Sequence, residues 1–320
     1  MSLPVVTVIV PGRDVAAYAD EAIASLRAQT LTDWSAVLVD DGSEDATGAI
    51  FDAAAQTDPR FRVVHNDRPR GLGAARNTAL DLVETPLVAF LDADDRYTPD
   101  ALERLVSTIT ASGSDFVVGA YVRLRADEAG IYAPGIVQPW VAAATAPERR
   151  ATTLDRHPDA SGNIVAWSKV SRIEFWRRHG LRFPVDKLYE DQLVAQTMYT
   201  RARAFDVIPD VVVHWRERAD GSSITQHKDE VVVLGDYLDA MRGGLSILDT
   251  ADQRAAAAAR VRLMLDMDVP PLVRIAQDHP DGAYRRALGA FVRPLLERAE
   301  REQIALDAGT AALRAAARLW

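Results

Sequence analysis

The sequence predicts an α/β protein: a mostly parallel sheet flanked by helices, followed by a helical C-terminal extension. Three observations carry this reading. Between Val5 and about Leu124, short apolar runs alternate with amphipathic segments, the signature of successive βα units. Acidic residues stand directly after two of these runs, where open α/β sheets bind ligands. Beyond Gln226 the chain turns rich in Ala, Leu and Arg at helical spacing.

The expected strands are Val5–Val10, Ala36–Val39, Phe61–His65, Leu87–Leu91 and Phe116–Val122. Between them Tyr18–Ala28, Ala46–Gln56, Gly73–Val83 and Pro99–Ala111 carry apolar residues at helical periodicity. From Arg125 to about Asn163 periodicity fades and Pro134, Pro139, Pro147 and Pro158 punctuate the chain. This predicts a long loop with short helical pieces, of the kind that forms substrate lids. Helical patterning returns at Ser171–His179 and Glu190–Arg203, followed by short strands at Ala204–Ile208 and Val211–Trp215. The helices expected in the extension are Asp229–Leu248, Ala251–Asp266, Pro271–Asp278 and Gly282–Ala299. The domain reading is therefore 1–225, with halves at 1–124 and 125–225, and a helical appendage over 226–320.

A chain of 320 residues can hold a large domain with a smaller appendage. A net charge of −9 argues against nucleic acid, whose binding depends on neutralising phosphates with Lys and Arg. With no cysteine there are no disulfides, thiolate metal sites or cysteine nucleophiles, a composition that suits the cytoplasm. The apolar run in MSLPVVTVIVPGRD is too short for a signal segment and reads as a buried first strand. No stretch reaches the roughly 18 apolar residues that span a bilayer, so the expectation is a soluble protein, at most peripheral to the inner membrane face.

Asp40 and Asp41 follow the run WSAVLV, with Gly42, Ser43 and Asp45 behind them. Carboxylates there can accept hydrogen bonds from a nucleobase N–H or ribose hydroxyls, although Ser and Asp also serve as plain helix caps. Asp92, Asp94 and Asp95 follow LVAFL. A cap needs one acid, and crowded like charges raise one another's pKa unless a cation sits among them. An all-oxygen set suits Mg2+ or Mn2+, which would bridge to phosphates.

Between these clusters Arg68–Asn77 opens a helix, with Gly71 and Gly73 allowing close backbone approach. The helix N-terminus and Arg76 favour a phosphate or a base carbonyl. Its spacing is not the dinucleotide fingerprint G-x-G-x-x-G. Glu190 and Asp191 at a helix start either complement the helix dipole or supply a general base. After a later strand, His214–Thr225 offers Arg and Ser donors for a diphosphate and His214 as a metal ligand, the alternative for His214 being structural.

Taken in order, VTVIVP, VLVDDGSEDAT, GLGAARN, VAFLDADD, YEDQ and RERADGSSIT resemble the family-two glycosyltransferases, whose fold is the Rossmann-like GT-A fold. The resemblance covers about residues 5–225. It implies a nucleotide diphosphate sugar donor, a uridine one by preference, held by Pro11, Asp40, Asp41, Gly71, Arg76, Asn77, Asp92, Arg218 and Ser223. It also implies a divalent cation, Mn2+ or Mg2+, on the D-x-D acids Asp92 and Asp94, and Asp191 as catalytic base with Glu190 as its companion. Where the family usually shows Pro, any residue, an aromatic and Asn, this chain has Pro11, Gly12, Arg13 and Asp14. The segment around Arg218 and Ser223 corresponds to one that closes over the donor.

Among relatives the spacing looks most like transferases that glycosylate wall teichoic acid or build other cell-surface polysaccharides. The implied acceptor is a glycan or polyol-phosphate hydroxyl on a polymer or its precursor, reached by a single displacement with inversion. The alternatives are a sugar-1-phosphate nucleotidyltransferase, for which the first turn has too little glycine, and a non-catalytic nucleotide-sugar or glycan-binding protein. Arg285, Arg286, Arg293, Arg298, Arg301, Arg314 and Arg318 leave open a homo-oligomer through the C-terminal helices or a peripheral membrane contact, with packing or oligomerisation preferred to lipid.

Overall fold

The computed structural model describes residues 4–219, 221, 223 and 227–320. Asp220, Ser222, Ile224 and Thr225 of the polar stretch lie outside the described residues. The first half runs β1 (Val6–Gly12), α1 (Ala16–Arg27), β2 (Trp34–Asp40), α2 (Thr47–Thr57), β3 (Phe61–His65), α3 (Leu72–Leu80), β4 (Leu87–Phe90), β5 (Arg96–Tyr97), α4 (Ala101–Ser112) and β6 (Phe116–Ala126). Then follow β7 (Tyr132–Val137), α5 (Pro139–Thr145), β8 (Arg149–Thr152), β9 (Lys169–Arg172), α6 (Ile173–His179), α7 (Asp191–Arg201) and β10 (Phe205–Arg216). The chain continues through α8 (Val231–Thr250), α9 (Arg254–Leu263), α10 (Val269–Asp278), α11 (Gly282–Arg301) and α12 (Ala311–Arg318), a π-helical turn at Met264–Asp268 joining α9 to α10.

The strands form one mixed sheet in the order β3-β2-β1-β4-β9-β6-β10-β5, with β7 on β6 and β8 on β10. The β3-β2-β1-β4 set is parallel, as the βα alternation requires. β1 is buried along its whole length at the centre of that set, which explains its unbroken apolar run. β6 and β10 are also parallel, whereas β9 lies antiparallel between β4 and β6.

The stretch at 125–163, expected as a long loop with short helical pieces, does carry two short helices, α5 and a single turn at Pro158–Gly162, but it also forms two strands, β7 and β8. Its prolines fall where ladders and helices tolerate them: Pro139 opens α5, and Pro158 opens the single-turn helix. The expected helix at Ser171 is corrected too, because Lys169–Arg172 first completes a strand before α6 begins. The two short strands expected around Pro209 are one, β10, whose register shifts between Ile208 and Val213. Proline removes a ladder donor there, and the irregularity absorbs it.

Apolar faces on both sides of the sheet merge with those of α8 to α12 into one core from Val6 to Ala317. Phe116 anchors its middle, stacked on Phe205 at 5.3 Å and edge-on to Tyr199 at 5.2 Å. Each such aromatic pair contributes about 0.5–1.5 kcal/mol beyond burial. α7 packs against α8, and Gln196 of α7 donates to the Ser161 carbonyl at 2.8 Å. The extension is thereby fastened beside the helix that carries Asp191.

Candidate active site

Because β1, β2 and β4 run parallel, their C-terminal ends deliver Pro11, Asp40 and Asp41, and Asp92 to one edge of the sheet. Asp40 accepts from the Ser43 amide at 3.0 Å and from His65 Nδ1 at 3.0 Å, while His65 Nε2 meets Asp52 at 3.0 Å. Burial works against its ionisation, yet the bonds from Ser43 and His65 prevail and hold its carboxyl below the ordinary range. Asp41 is buried and gathers the segment before α3: its carboxylate accepts from Asn66 Nδ2 at 2.7 Å, the Arg70 amide at 3.0 Å and the Gly71 amide at 2.8 Å.

Gly71 sits at φ +85°, a conformation that side chains rarely adopt, and lets that amide turn onto Asp41. A Cβ at Gly73 would stand 2.1 Å from the Pro184 carbonyl oxygen, so α3 can approach the 183–184 backbone only with glycine there. Asn77 clasps the same strip, donating to the Phe183 carbonyl at 2.8 Å and accepting from its amide at 2.9 Å. Pro11 is buried at the end of β1 and accepts from the Ala93 amide at 3.2 Å.

Arg76 projects from α3 into the centre of this arrangement and is 1% exposed. One guanidinium nitrogen donates to Glu190 at 2.5 Å, another to Asp92 at 2.6 Å, and the Phe183 ring lies 5.1 Å from its carbon. A lone buried guanidinium would be strongly penalised; these carboxylates more than offset the burial and raise its pKa further. Arg76 thus ties the strand-end acids to the start of α7.

Asp94 and Asp95 lie beyond Asp92. Asp94 accepts from Arg218 Nε at 2.8 Å, and burial together with Asp92 raises its pKa against the pull of Arg218. Asp95 is 1% exposed; one oxygen accepts from the Arg216 amide at 2.7 Å and the other is buried with no partner among the described residues. Arg216, also buried, donates to the Asp94 carbonyl at 2.7 Å and to Glu21 at 2.7 Å, and lies under the Tyr132 ring at 4.2 Å.

Among the described residues no three His, Cys, Asp or Glu side chains form a group able to hold a metal alone. His214 stands on β10 opposite Arg96 of β5, and burial and that guanidinium lower its pKa. The acids nevertheless fit a hard divalent cation of the Mg2+ type, which takes one or two carboxylates and completes its shell with phosphate and water. The orphaned Asp95 oxygen and the raised pKa of Asp94 both mark local negative charge in need of a cation.

Glu190 and Asp191 open α7. Burial pushes Glu190 up to about 7 against the pull of Arg76, and Asp191 up to about 6 against the same pull. Asp191 is half-buried, and no other described residue hydrogen-bonds its carboxylate. It faces a narrow cavity lined mainly by apolar groups, among them Phe90, Val165, Phe183 and Met198.

Lys169 shares that cavity and was not singled out in the sequence. Its ammonium donates to Asn163 Oδ1 at 2.7 Å, to the Asn163 carbonyl at 3.0 Å and to the Val165 carbonyl. Burial lowers its pKa to about 7, with Asp191 opposing. The available signal was a lone cation inside the otherwise weakly polar run IVAWSKVS. Ser223 and Arg218 both belong to the segment after β10, and Arg218 reaches Asp94.

A parallel-strand edge bearing paired acids, a bridging arginine and a helix-start acid pair defines a GT-A-like α/β protein. The chain belongs to glycosyl transferase family 2, whose pattern it matches over residues 7–183. It is 28% identical over 228 residues to the uncharacterized glycosyltransferase EpsJ of Bacillus subtilis, covering 71% of this chain and 65% of that one. The chain thus spans just under two-thirds of that relative's length.

Its fold matches the crystal structure of S. aureus TarS 1-349 in complex with UDP-GlcNAc at a TM-score of 0.75, with 21% identity over 98% of this chain and 87% of that one. It also matches the mannosyltransferase PcManGT from Pyrobaculum calidifontis, in complex with GDP-Man and Mn2+, at a TM-score of 0.58, with 17% identity over 100% of this chain and 87% of that one. The expected class, a GT-A-like sheet with a helical C-terminal region, holds; the sheet is parallel over β3-β2-β1-β4 and β6-β10, with β9 and the strands β5, β7 and β8 antiparallel. No helix of the described residues is long and apolar enough to cross a membrane.

Proposed function

We propose that the protein transfers a sugar from a nucleotide diphosphate sugar, a uridine one by preference, to an acceptor hydroxyl with inversion at the anomeric carbon. The observation that carries this is Asp191: a half-buried carboxylate free of hydrogen bonds from other described residues, raised to about 6, beside a guanidinium anchored to the strand-end acids. A general base needs this combination of proton affinity near neutrality and an open lone pair.

In this reading the acceptor hydroxyl gives its proton to Asp191 as its oxygen attacks the anomeric carbon, and the bond from that carbon to the diphosphate oxygen breaks on the opposite face. Glu190 and Arg76 fix the position of Asp191 relative to the donor edge. Asp40 and Asp41 stand where the nucleoside would lie, and Asp41 together with Asn77 shapes the Gly71–Asn77 turn beneath it. Arg218 and Ser223 serve the diphosphate, Arg218 by a guanidinium already oriented by Asp94. Asp94 and Asp92 would hold Mg2+ or Mn2+, which supplies charge stabilisation for the departing diphosphate. A likeness to proteins crystallised with UDP-GlcNAc and with GDP-Man and Mn2+ supports the donor class. The acceptor is a hydroxyl of a cell-surface glycan or polyol-phosphate.

The test is a panel of uridine and guanosine diphosphate sugars with Mn2+ or Mg2+, scored for nucleoside diphosphate release. Asp191→Asn should retain donor binding and lose at least roughly 100-fold in turnover, the scale of a general base. Near-normal turnover of that variant, or release of pyrophosphate from a nucleoside triphosphate, would overturn the reading.

A further inference from the structure

Two cations, Arg123 and Lys228, and two buried donors that flank the Glu190–Asp191 pair in sequence, Tyr189 and Gln192, take no part in the catalytic reading. Arg123 of β6 places its guanidinium over Trp215 at 5.2 Å and Trp140 at 5.9 Å. Its Nε is buried without a hydrogen-bond partner among the described residues, and its terminal nitrogen makes a long ion pair with Glu217 at 3.9 Å. Trp215 stacks on Trp167 at 6.2 Å, and Trp167 meets Tyr121 edge-on at 4.7 Å. Tyr121 lies within electrostatic reach of both Asp191 and Arg123.

Lys228 precedes α8. Its ammonium sits 4.3 Å from the Tyr237 ring and has no hydrogen-bond acceptor among the described residues. Tyr237 packs on Tyr189 at 4.4 Å, one residue before Glu190. The Tyr189 hydroxyl and Gln192 Nε2 are buried without hydrogen-bond partners among the described residues. Burial lowers the pKa of Lys228, Asp268 opposes this, and Arg123 adds to it, so the two cations feel each other. Asp268 is already engaged by the Tyr237 hydroxyl at 2.8 Å.

We propose that Arg123 and Lys228 bind an anionic group of the acceptor, a phosphate or carboxylate on a saccharide or polyol whose carbon skeleton lies against Trp215 and Trp140. This rests on the transferase reading and names the acceptor chemistry of the same site. In a chain of net charge −9, two cations within electrostatic reach of each other concentrate positive potential locally. A buried donor left unsatisfied keeps its desolvation penalty, which an incoming anion or hydroxyl removes. Half-buried indole faces accept the C–H surface of a sugar or polyol, and the stacked guanidinium fixes the anion beside them.

Calorimetry on the full chain, without donor, tests this with three probes of matched length: a poly(glycerol phosphate) chain, an oligogalacturonate and a neutral maltooligosaccharide. An anionic chain should bind more tightly than the neutral one, and which of the two prefers the site separates phosphate from carboxylate. Arg123→Gln and Lys228→Gln should each weaken that binding by roughly tenfold, with Arg123→Lys and Lys228→Arg recovering most of it. No preference for either anionic chain over the neutral one, or wild-type binding by folded glutamine variants, overturns the proposal. Failure of the transferase reading is read separately, as absence of nucleoside diphosphate release by the wild type from every donor.

Discussion

Arg76 hydrogen-bonds Glu190 across a sequence separation of 114 residues, and it does so with the guanidinium that also holds Asp92. The strand-end acids and the acid pair of α7 therefore share one buried cation. Their relative position is set by a planar fork rather than by the flexible chain between them.

Removing that cation should leave two carboxylates uncompensated. Arg76→Ala is expected to destabilise the protein by about 3–5 kcal/mol, the range for breaking a buried pair, as read by urea denaturation. Arg76→Lys retains charge without the fork. It should fold and lose roughly tenfold or more in turnover because one point charge cannot orient both acids. Full activity in Arg76→Lys would show that the fork is not needed.

The pH dependence follows from three shifted groups. Glu190 at about 7 and Asp191 at about 6 are raised, so between the ordinary carboxylate range and those values the folded state holds more protons than the unfolded one. Their contribution to stability is therefore full at low pH and is lost as pH rises through about 6 to 7. Lys169, lowered to about 7, acts oppositely: the unfolded state holds the extra proton between about 7 and its ordinary value, so this contribution grows as pH rises through that window. Turnover, which needs Asp191 ionised, should climb with pH across about 6. Urea midpoints and a pH–rate profile of the wild type check the two signs; an acid limb centred near 4 would contradict the shift in Asp191.

Gly71 and Gly73 should respond to alanine for different reasons. At Gly71 a methyl meets nothing within 4 Å, and the cost is backbone strain at φ +85°, of order 1–3 kcal/mol. At Gly73 the methyl collides with the Pro184 carbonyl at 2.1 Å and must push α3 away, at about 1–3 kcal/mol. Because that movement also shifts Arg76, Gly73→Ala should lower turnover beyond its effect on folding, measured below its melting transition.

Much of this architecture is legible in the amino-acid order, because parallel strands buried on both faces leave continuous apolar runs. β3 is found at its expected bounds, and β1, β2 and β4 within about two residues of theirs. β9 escapes notice because four residues, KVSR, are too few to set a period before the helical pattern of α6. β7 and β8 are edge strands whose exposed faces carry no core signal. The acids of the site stand out because several carboxylates in succession after an apolar run need explanation. Lys169, Arg123 and Tyr189 do not, since each acquires meaning only from residues that folding brings beside it.

The placement of β9 bears on how this chain could be divided. It comes late in the sequence yet fills the slot between β4 and β6, contacting both along its length. A fragment ending near residue 124 would carry β4 and β6 with their common neighbour missing, exposing two unpaired strand edges in mid-sheet. The first half is therefore not a portable cassette that could be excised or exchanged among relatives at that boundary. The indivisible unit extends at least through β9, and the strand that closes the sheet also delivers Lys169 to Asp191.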